Sequence, residues 1–499
     1  MKSYLAFKML FAGVLGLLKF VFMLVFLYFY KALTRFHMMS RFINVLFCCL
    51  LCCSLMTSTS EAQQADSAVI KQFFNSELAS GSSYGNLEKL CKGVGNRLSG
   101  SANAEKAVLW AQKTMTELHP DTVYLQEVMV PHWVRGKTEQ ASIEVNGQAP
   151  TAVSILALGG SIATPAEGLV AQVIEIHALS ELELLGDKVK GKIVFFNRPM
   201  DPQEILVFDA YGKAVDQRWA GPSEAAKFGA VGSICRSMTT ATDDFPHTGA
   251  MKYKDSIPQI PCCAISTMGA DRLSAMLKKN ADLMFRFTQS CSKLPDVKSY
   301  NVVAEIRGSL HPDRFIVAGG HLDSWDVGEG AHDDGAGVVQ SMEIIRLFRD
   351  AGIRPKNTIR IVAFMNEENG LKGGRKYAEL AKNKNEKHLC AIETDAGAFS
   401  PRGLSMDGND TLRSLIRSWK PLLEPYGLYD FEREGGGADI SPLKDQQVPV
   451  FELMPDSQRY FNYHHTNKDV FEAIDRRELE LCAAAMASLV YLLDQYDWK

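Results

Sequence analysis

The sequence predicts an α/β fold, in which a mixed sheet lies between helices and a second, β-rich domain is inserted into the first. From Ser299 onward, buried strands alternate with amphipathic helices, an order typical of a mostly parallel or mixed sheet. Residues 131–295 instead contain short β-rich runs without a cluster of acids and histidines. Polar residues that can bind metals follow several of the later strands, and such sheets bind ligands beyond the carboxyl ends of their strands.

The hydrophobic periodicity predicts the elements in chain order. A helix is expected over 102–118, where the apolar stripe consists of Ala104, Val108, Ala111, Met115 and Leu118. Within the β-rich segment, we expect strands over 143–145, 168–174 and 191–196, and a helix over 224–229. In the last part of the chain, we expect strands over 314–318, 358–365, 389–393 and 448–453, and helices over 337–348, 371–381 and 476–493.

Length and composition indicate an enzyme-sized globular protein with two or three domains. The chain has 499 residues, of which 46% are hydrophobic and 22% charged, as in ordinary globular proteins. Its 54 basic and 58 acidic residues give a formal net charge of -4. Because a duplex-binding protein needs an excess of basic residues on one surface, we expect no nucleic acid partner.

The N-terminal segment is apolar enough to direct the chain out of the cytoplasm. Residues 9–30 are almost wholly apolar and long enough to span a bilayer. A second apolar run, 42–56, follows an arginine and ends in small residues, which is the anatomy of a secretory signal. We therefore expect residues 39–62 to act as a signal peptide and the mature protein to be secreted, periplasmic or lumenal. The upstream stretch is either absent from the mature protein or a membrane anchor, and both alternatives stay open.

Five segments near the predicted strand ends carry acidic or histidine side chains. They are 319–323 with His321 and Asp323, 331–335 with Asp333, 366–370 with Glu367 and Glu368, 393–397 with Asp395, and 463–466 with Tyr463, His464 and His465. Each segment alone has an ordinary explanation, such as a solvated loop or a helix N-cap. Their occurrence in this order, at one edge of one sheet, indicates a metal site.

The side chains in these segments suit a pair of zinc ions. Carboxylate oxygens and imidazole nitrogens are ligands for zinc and similar divalent ions. Two metals about 3.5–4 Å apart need a bridging carboxylate, and such a site polarises a carbonyl while it activates water. Asp333 is the candidate bridge, because it lies between the other ligands in chain order and is expected to cap the following helix. His321 and Asp395 would complete one zinc site, and Glu368 and His465 the other.

Hydrolysis also needs groups that move protons. Glu367, beside the ligand Glu368, is the candidate general base: it would take a proton from the attacking water and return it to the leaving amine. Asp323, two residues after His321, is expected to orient that imidazole. Tyr463 is a candidate donor to the oxyanion.

The motifs are specific when they are taken together. They are Gly319–Gly328 (GGHLDSWDVG), Asp333–Gly335, Glu367–Glu368, Thr394–Gly397 and His464–Thr466, with Gly95–Ser101, Pro131–Trp133 and Pro246–Gly249 outside the metal segments. In these motifs the chain resembles the co-catalytic zinc aminopeptidase and glutamate carboxypeptidase family over nearly everything after residue 66. The resemblance implies a phosphorylase/hydrolase-like peptidase domain, formed by 63–130 and 296–499, with a protease-associated-type insert at 131–295 and a signal peptide or membrane anchor at 1–62.

The resemblance also implies a role for each site residue. Asp333 bridges the metals, Glu367 is the base, and the remaining ligands are His321, Glu368, Asp395 and one late histidine. In the family that histidine stands four residues before an acid, here Asp469, which favours His465 and leaves His464 as the alternative. His332 stands where the family usually has an apolar residue, so we expect it to perturb or contact the site.

The implied function is that of a zinc carboxypeptidase or dipeptidase acting on short peptides with free termini, as a homodimer. An aminopeptidase acting on longer peptides is the nearest alternative, because it uses the same metal chemistry. A non-catalytic binding protein similar to the transferrin receptors is an alternative of another class, and the complete ligand set with Glu367 argues against it. A single-zinc acyltransferase such as glutaminyl cyclase is disfavoured by the paired-metal ligand set.

Overall fold

The computed structural model describes residues 19–25, 63–496 and 498. Residues 19–25 are helical, whereas the predicted signal peptide at 39–62 and the rest of the apolar stretch at 9–30 lie outside the described residues. Of the helices that the structure describes, none combines the length and the apolar character needed to cross a bilayer. Two compact units, Met1–Ser67 and Ala68–Lys499, divide the chain, and the fold described below is that of the second unit.

The strands of this unit form two sheets. In chain order they are β1 (Thr122–Val134), β2 (Gln140–Glu144), β3 (Thr151–Val153), β4 (Ile155–Ala157), β5 (Leu169–Ile176), β6 (Ile193–Phe196), β7 (Gly232–Arg236), β8 (Cys262–Ile265), β9 (Met284–Thr288), β10 (Ser292–Ile306), β11 (His311–His321), β12 (Asn357–Phe364), β13 (Lys387–Glu393), β14 (Pro401–Asp407) and β15 (Val450–Pro455). The predicted strands are all present, and most extend a few residues beyond their predicted ends.

Residues 63–80 are helical, and further helices follow. They are α1 (Ser83–Gly93), α2 (Ala102–Glu117), α3 (Glu181–Leu185), α4 (Val207–Ala214), α5 (Asp216–Trp219), α6 (Gly221–Lys227), α7 (Thr267–Leu277), α8 (Ala336–Asp350), α9 (Lys372–Asn383), α10 (Asp410–Ser418), α11 (Lys420–Leu423) and α12 (Arg476–Gln495). A short π-helical turn, Ala331–Gly335, precedes α8, and a 3-10 helix, Ser457–Asn462, follows β15.

The first sheet confirms the predicted α/β architecture. Among the described residues it has seven strands in the order β1-β10-β12-β11-β13-β15-β14. Strand β11 is parallel to both β12 and β13, and β13 is parallel to β15. Alternate residues of β12 face opposite layers: Ile359 and Ile361 pack in the core with α8 and α12, whereas Val362 and Phe364 pack against Tyr377 of α9. The carboxyl ends of the four parallel strands therefore meet at one edge between two helical layers.

The second sheet lies within residues 140–288 and has the order β3-β2-β9-β5-β6-β7-β8-β4. Strands β5 to β8 are parallel neighbours, and helices α3 to α7 fall within this segment, so it is more helical than its β-rich sequence predicts. The predicted limits of the insert, 131 and 295, fall inside β1 and β10, which pair with each other in the first sheet. Pairing shifts register at Pro131 and resumes at His132, because proline cannot donate a ladder hydrogen bond.

Candidate metal centre

The parallel strands bring the predicted ligands together at one edge of the first sheet. His321 is the last residue of β11, and Glu367 and Glu368 follow β12. Asp395 follows β13, and His465 comes after the 3-10 helix beyond β15. Asp333 lies in the π-helical turn that leads into α8.

Asp333 lies between two pairs of ligands. Its Oδ1 is 3.2 Å from His321 Nε2, and the same imidazole nitrogen is 3.5 Å from Asp395 Oδ1. Its Oδ2 is 3.3 Å from His465 Nε2, which is 3.1 Å from Glu368 Oε2. One oxygen of a single carboxylate thus faces each pair, which is the arrangement that a bridging ligand requires.

The residues fit divalent cations. Asp333 Oδ2 and Asp395 Oδ1 are buried atoms that find no hydrogen-bond partner among residues 63–496. In the part of the chain that the structure describes, no lysine or arginine forms an ion pair with Asp333, Glu368 or Asp395, which instead contact the imidazoles of His321 and His465. Buried carboxylates without a cationic partner are costly. A donor set of three carboxylates and two imidazoles suits zinc and would remove that cost.

The protonation equilibria of the cluster also favour a cation. Burial disfavours a charge on His321, but the carboxylates of Asp395 and Asp333 raise its pKa well above the usual value. Burial would raise the pKa of Asp333, but a hydrogen bond from His321 and the nearby His465 and His464 lower it. Burial and the charge of Asp333 raise the pKa of Glu368 well above the usual value. Protons held by His321 and Glu368 therefore occupy positions that metal ions would take.

Glu367 lies beside the ligands and lines a cavity of about 960 Å³ together with Asp333, Glu368 and Asp395. Its position is fixed through the backbone, because Asp323 Oδ1 accepts hydrogen bonds from Asn366 N–H (2.7 Å) and Glu367 N–H (3.1 Å). Burial, supported by nearby carboxylates, raises the pKa of Glu367 to about 8. A carboxylate with a pKa near neutral can both accept and return a proton.

Asp323 contacts the His321 imidazole through its main chain. His321 Nδ1 lies 2.9 Å from the main-chain oxygen of Asp323, whereas the carboxylate Oδ1 is 3.9 Å away. The carboxylate instead accepts the hydrogen bonds from the turn that carries Glu367. Hydrogen bonds of Asp323 thus connect the end of β11, which carries His321, to the turn after β12, which carries Glu367.

The expectation that Asp333 caps the following helix is wrong, because Asp334 does so. Asp334 Oδ1 accepts from Gly337 N–H (2.9 Å), and its Oδ2 accepts from His321 N–H (3.0 Å). Asp333 has non-helical dihedrals (φ -121°, ψ 88°), which turn its side chain away from the helix and into the cluster. The Asp469 carboxylate holds this turn by accepting from His332 N–H (2.7 Å) and Asp333 N–H (3.1 Å).

Of the two late histidines, His465 lies nearer to the other ligands. His464 Nε2 is 4.0 Å from Asp333 Oδ2, and its ring stacks on that of His465 with centroids 3.5 Å apart. The backbone of His465 lies in the left-handed region (φ 62°), which is strained for a non-glycine residue and typical of functional positions. Its Nδ1 lies 3.3 Å from the main-chain oxygen of Thr248, so the connection between β7 and β8 helps to orient this ring.

Tyr463 does not lie where an oxyanion donor is needed. Its ring packs on His332, with centroids 4.8 Å apart, and is absent from the cavity lining. His332, expected to perturb or contact the site, stacks on Phe399 (4.5 Å) and accepts a hydrogen bond at Nδ1 from Ala398 N–H (3.2 Å). Burial lowers the pKa of His332 to about 3, so it acts as a neutral packing group behind the site. His464, in contrast, lines the cavity.

Comparison with known proteins finds similar peptidases. The sequence model of peptidase family M28 matches residues 301–490. Carboxypeptidase Q of Xenopus laevis is 38% identical over 411 residues, which cover 82% of this chain and 85% of that protein. The crystal structure of a peptidase M28 precursor from Shewanella amazonensis superposes with a TM-score of 0.82 at 35% identity and covers 88% of this chain and 98% of that one.

A more distant structure shares the fold alone. The zinc aminopeptidase of Bacillus subtilis has a TM-score of 0.60 at 19% identity and covers 82% of this chain and 94% of that one. The curated relatives confirm that, within the family which the motifs resemble, the likeness extends to carboxypeptidase Q.

Proposed function

The chain belongs to peptidase family M28, and on that premise we propose that it is a two-zinc exopeptidase that hydrolyses dipeptides or short peptides with free termini. Membership of a zinc peptidase family makes it a metallo-exopeptidase. The observation that carries the proposal is the Asp333 carboxylate, which presents one oxygen to His321 and the other to His465. The name of its carboxypeptidase Q relatives supports a carboxypeptidase or dipeptidase.

The proposed ligands form two groups around Asp333. His321 and Asp395 would hold one zinc ion, and Glu368 and His465 the other. Zinc held there would polarise the scissile carbonyl and lower the pKa of the attacking water. Glu368 is fixed for this role because its second oxygen, Oε1, accepts from Trp325 N–H (3.1 Å).

Glu367 is the proposed proton carrier. It takes a proton from the attacking water molecule while the water oxygen bonds to the scissile carbonyl carbon, and it returns the proton to the leaving amine as the C–N bond breaks. His464, which lines the cavity beside His465, replaces Tyr463 as the proposed group that contacts the oxyanion or the substrate.

Two further features belong to the proposal. A predicted signal peptide at 39–62 supports an enzyme that works outside the cytoplasm, with attachment through the upstream apolar stretch as the alternative. A homodimer is proposed from the resemblance alone. An aminopeptidase acting on longer peptides remains the second candidate, because the Bacillus subtilis zinc aminopeptidase shares the fold.

The function is tested by the hydrolysis of an unblocked dipeptide beside its N-acetylated and C-amidated forms, with zinc and with a chelator. We expect the purified protein to cleave the unblocked dipeptide, to cleave the two blocked forms far more slowly, and to lose all cleavage when the chelator is added. Equal cleavage of the amidated form would identify an aminopeptidase. Zinc-loaded protein that cleaves none of the three would point to a binding protein without catalysis.

A further inference from the structure

Arg218 is a buried cation in the wall of the catalytic cavity. It lies in α5, is 6% exposed, and lines the cavity that also contains Asp333 and Glu367. The other cationic side chains of the described lining are exposed: Lys252, Lys254, Lys293, Lys372 and Arg375. Burying a guanidinium group without a partner is costly, so the position of Arg218 in the cavity wall calls for an explanation.

Arg218 has no acidic partner among the described residues. Its Nη2 donates to Tyr211 Oη (2.7 Å), its Nη1 lies 3.4 Å from the main-chain oxygen of Thr248, and its Nε has no hydrogen-bond partner. Arg135 offers the matched contrast, because it is equally buried but is ion-paired with Asp326 (2.6 Å) and Glu139 (3.1 Å). The charge of Arg135 is balanced within the fold, whereas that of Arg218 is not.

The same main-chain oxygen connects Arg218 to the metal centre. Thr248 O is contacted by Arg218 Nη1 on one side and by His465 Nδ1 (3.3 Å) on the other. The ring of Tyr211, which receives the second hydrogen bond from Arg218, lies 5.4 Å from the ring of His464. The guanidinium group is therefore separated from a proposed zinc ligand by one carbonyl group.

Gly249 leaves room for the guanidinium group. A Cβ atom at this position would lie 2.4 Å from Arg218 Nη1, which is closer than non-bonded atoms approach. Its φ of 136° is also a conformation that side-chain-bearing residues rarely adopt. The backbone thus keeps open the space that Arg218 occupies beside the cavity.

We propose that Arg218 binds the α-carboxylate of the residue on the leaving side of the scissile bond, and so selects dipeptides over longer or amidated peptides. The inference rests on the proposed exopeptidase function and names its specificity determinant. A planar guanidinium group matches a carboxylate with paired hydrogen bonds, and the ligand would supply the negative charge that the fold does not. In a dipeptide, the α-carboxylate is only one residue from the scissile carbonyl. A group that binds this carboxylate must therefore lie close to the zinc ligands, and Arg218 is close to His465.

The test compares alanyl-leucine with alanyl-leucine amide on zinc-loaded Arg218→Met, Arg218→Lys and wild-type protein. We expect Arg218→Met to lower kcat/KM for the free dipeptide about 100-fold, mainly through KM, because the buried charge pair is lost. The amide, which lacks the carboxylate, should change less than about threefold, since only packing is altered. Arg218→Lys should recover part of the loss, and Lys278→Met, at an exposed position outside the cavity lining, should behave as wild type.

A second readout does not depend on turnover. In the Glu367→Gln background, calorimetry should show that Arg218→Met weakens binding of the free dipeptide and leaves binding of the amide nearly unchanged. Equal losses for both ligands, in either assay, would overturn the proposal and leave Arg218 a structural role. If the wild-type protein cleaves neither compound, the exopeptidase function fails, and the calorimetric ratio still decides whether Arg218 recognises a carboxylate.

Discussion

Two clusters of buried acids in the same unit differ in what balances their charge. Glu77 and Glu343 both form ion pairs with Arg346, which also reaches Asp350 (2.9 Å). Glu343 further accepts from Ser82 N–H (3.0 Å) and Ser82 Oγ (2.6 Å). Among the described residues, the acids around Asp333 contact histidines but no lysine or arginine, and Asp333 Oδ2 and Asp395 Oδ1 have no hydrogen-bond donor.

The difference shows how a buried acid that serves the fold can be told from one that serves a ligand. The Arg346 cluster contains a cation from the chain itself, so the loss of that cation should affect stability alone. The Asp333 cluster is incomplete without a cation from outside the chain, so its removal should affect metal binding and activity. Each prediction below tests one side of this contrast.

The largest effect is expected for Asp333→Ala. This change removes the one carboxylate that faces both ligand pairs, so zinc content should fall and kcat/KM should drop at least about 1,000-fold. The metal-free protein should also lose some stability, because the histidines that lower the pKa of Asp333 stabilise its charged form. Zinc analysis and chemical denaturation check both. Two zinc ions per chain in this variant would contradict the bridging role.

Glu367→Gln should separate catalysis from metal binding. The amide keeps the shape of the side chain but cannot carry a proton, so kcat should fall about 100- to 10,000-fold. Zinc content should equal that of the wild type, because Glu367 is not a proposed ligand. Steady-state kinetics and zinc analysis on one preparation give both quantities, and a wild-type kcat would exclude Glu367 as the base.

Arg346→Met should have the opposite signature. Loss of the guanidinium group leaves Glu77 and Glu343 buried without a cation, so the free energy of unfolding should fall by about 3–5 kcal/mol. Zinc content and KM of the folded protein should not change. Denaturant titration measures the loss, with exposed Arg354→Met as the matched control. A shift in zinc affinity would show that the two clusters are coupled.

The smallest effect is the pH dependence of metal binding. His321 and Glu368 have raised pKa values without metal, so the metal-free fold holds protons that the unfolded chain releases above pH 6.5 and pH 4.5, respectively. The free energy of unfolding of the metal-free protein should therefore fall as the pH rises above 4.5, and fall further above 6.5. Zinc affinity should increase about tenfold per pH unit for each proton that the metal displaces. Calorimetry in buffers of different ionisation enthalpy counts the protons. A pH-independent affinity would contradict the arrangement.

The sequence predicts the fold and most of the site because both depend on local patterns. Strand ends follow from hydrophobic runs, and parallel pairing brings His321, Glu368 and Asp395 to the same edge. Which of two adjacent aspartates faces the cluster is decided by backbone dihedrals that composition does not encode, so Asp334 was missed as the cap. The direction of the Tyr463 side chain also depends on tertiary packing, because its ring stacks on that of His332.

Arg218 was missed for a different reason. It lies in helix α5, far in sequence from every proposed ligand, and it is brought near the site because the main-chain oxygen of Thr248 contacts both Arg218 and His465. No local pattern marks an arginine that lacks an acid, since the absence of a partner is a property of the packed structure. The motif Pro246–Gly249 was the one available signal near it.

Zinc-edge anomalous diffraction from crystals of zinc-loaded Glu367→Gln protein tests the central claim most directly. Two anomalous peaks are expected, one on each side of the Asp333 carboxylate, the first bound by His321 and Asp395 and the second by Glu368 and His465. A single peak, or a pair in which Asp333 contacts only one, would contradict the account.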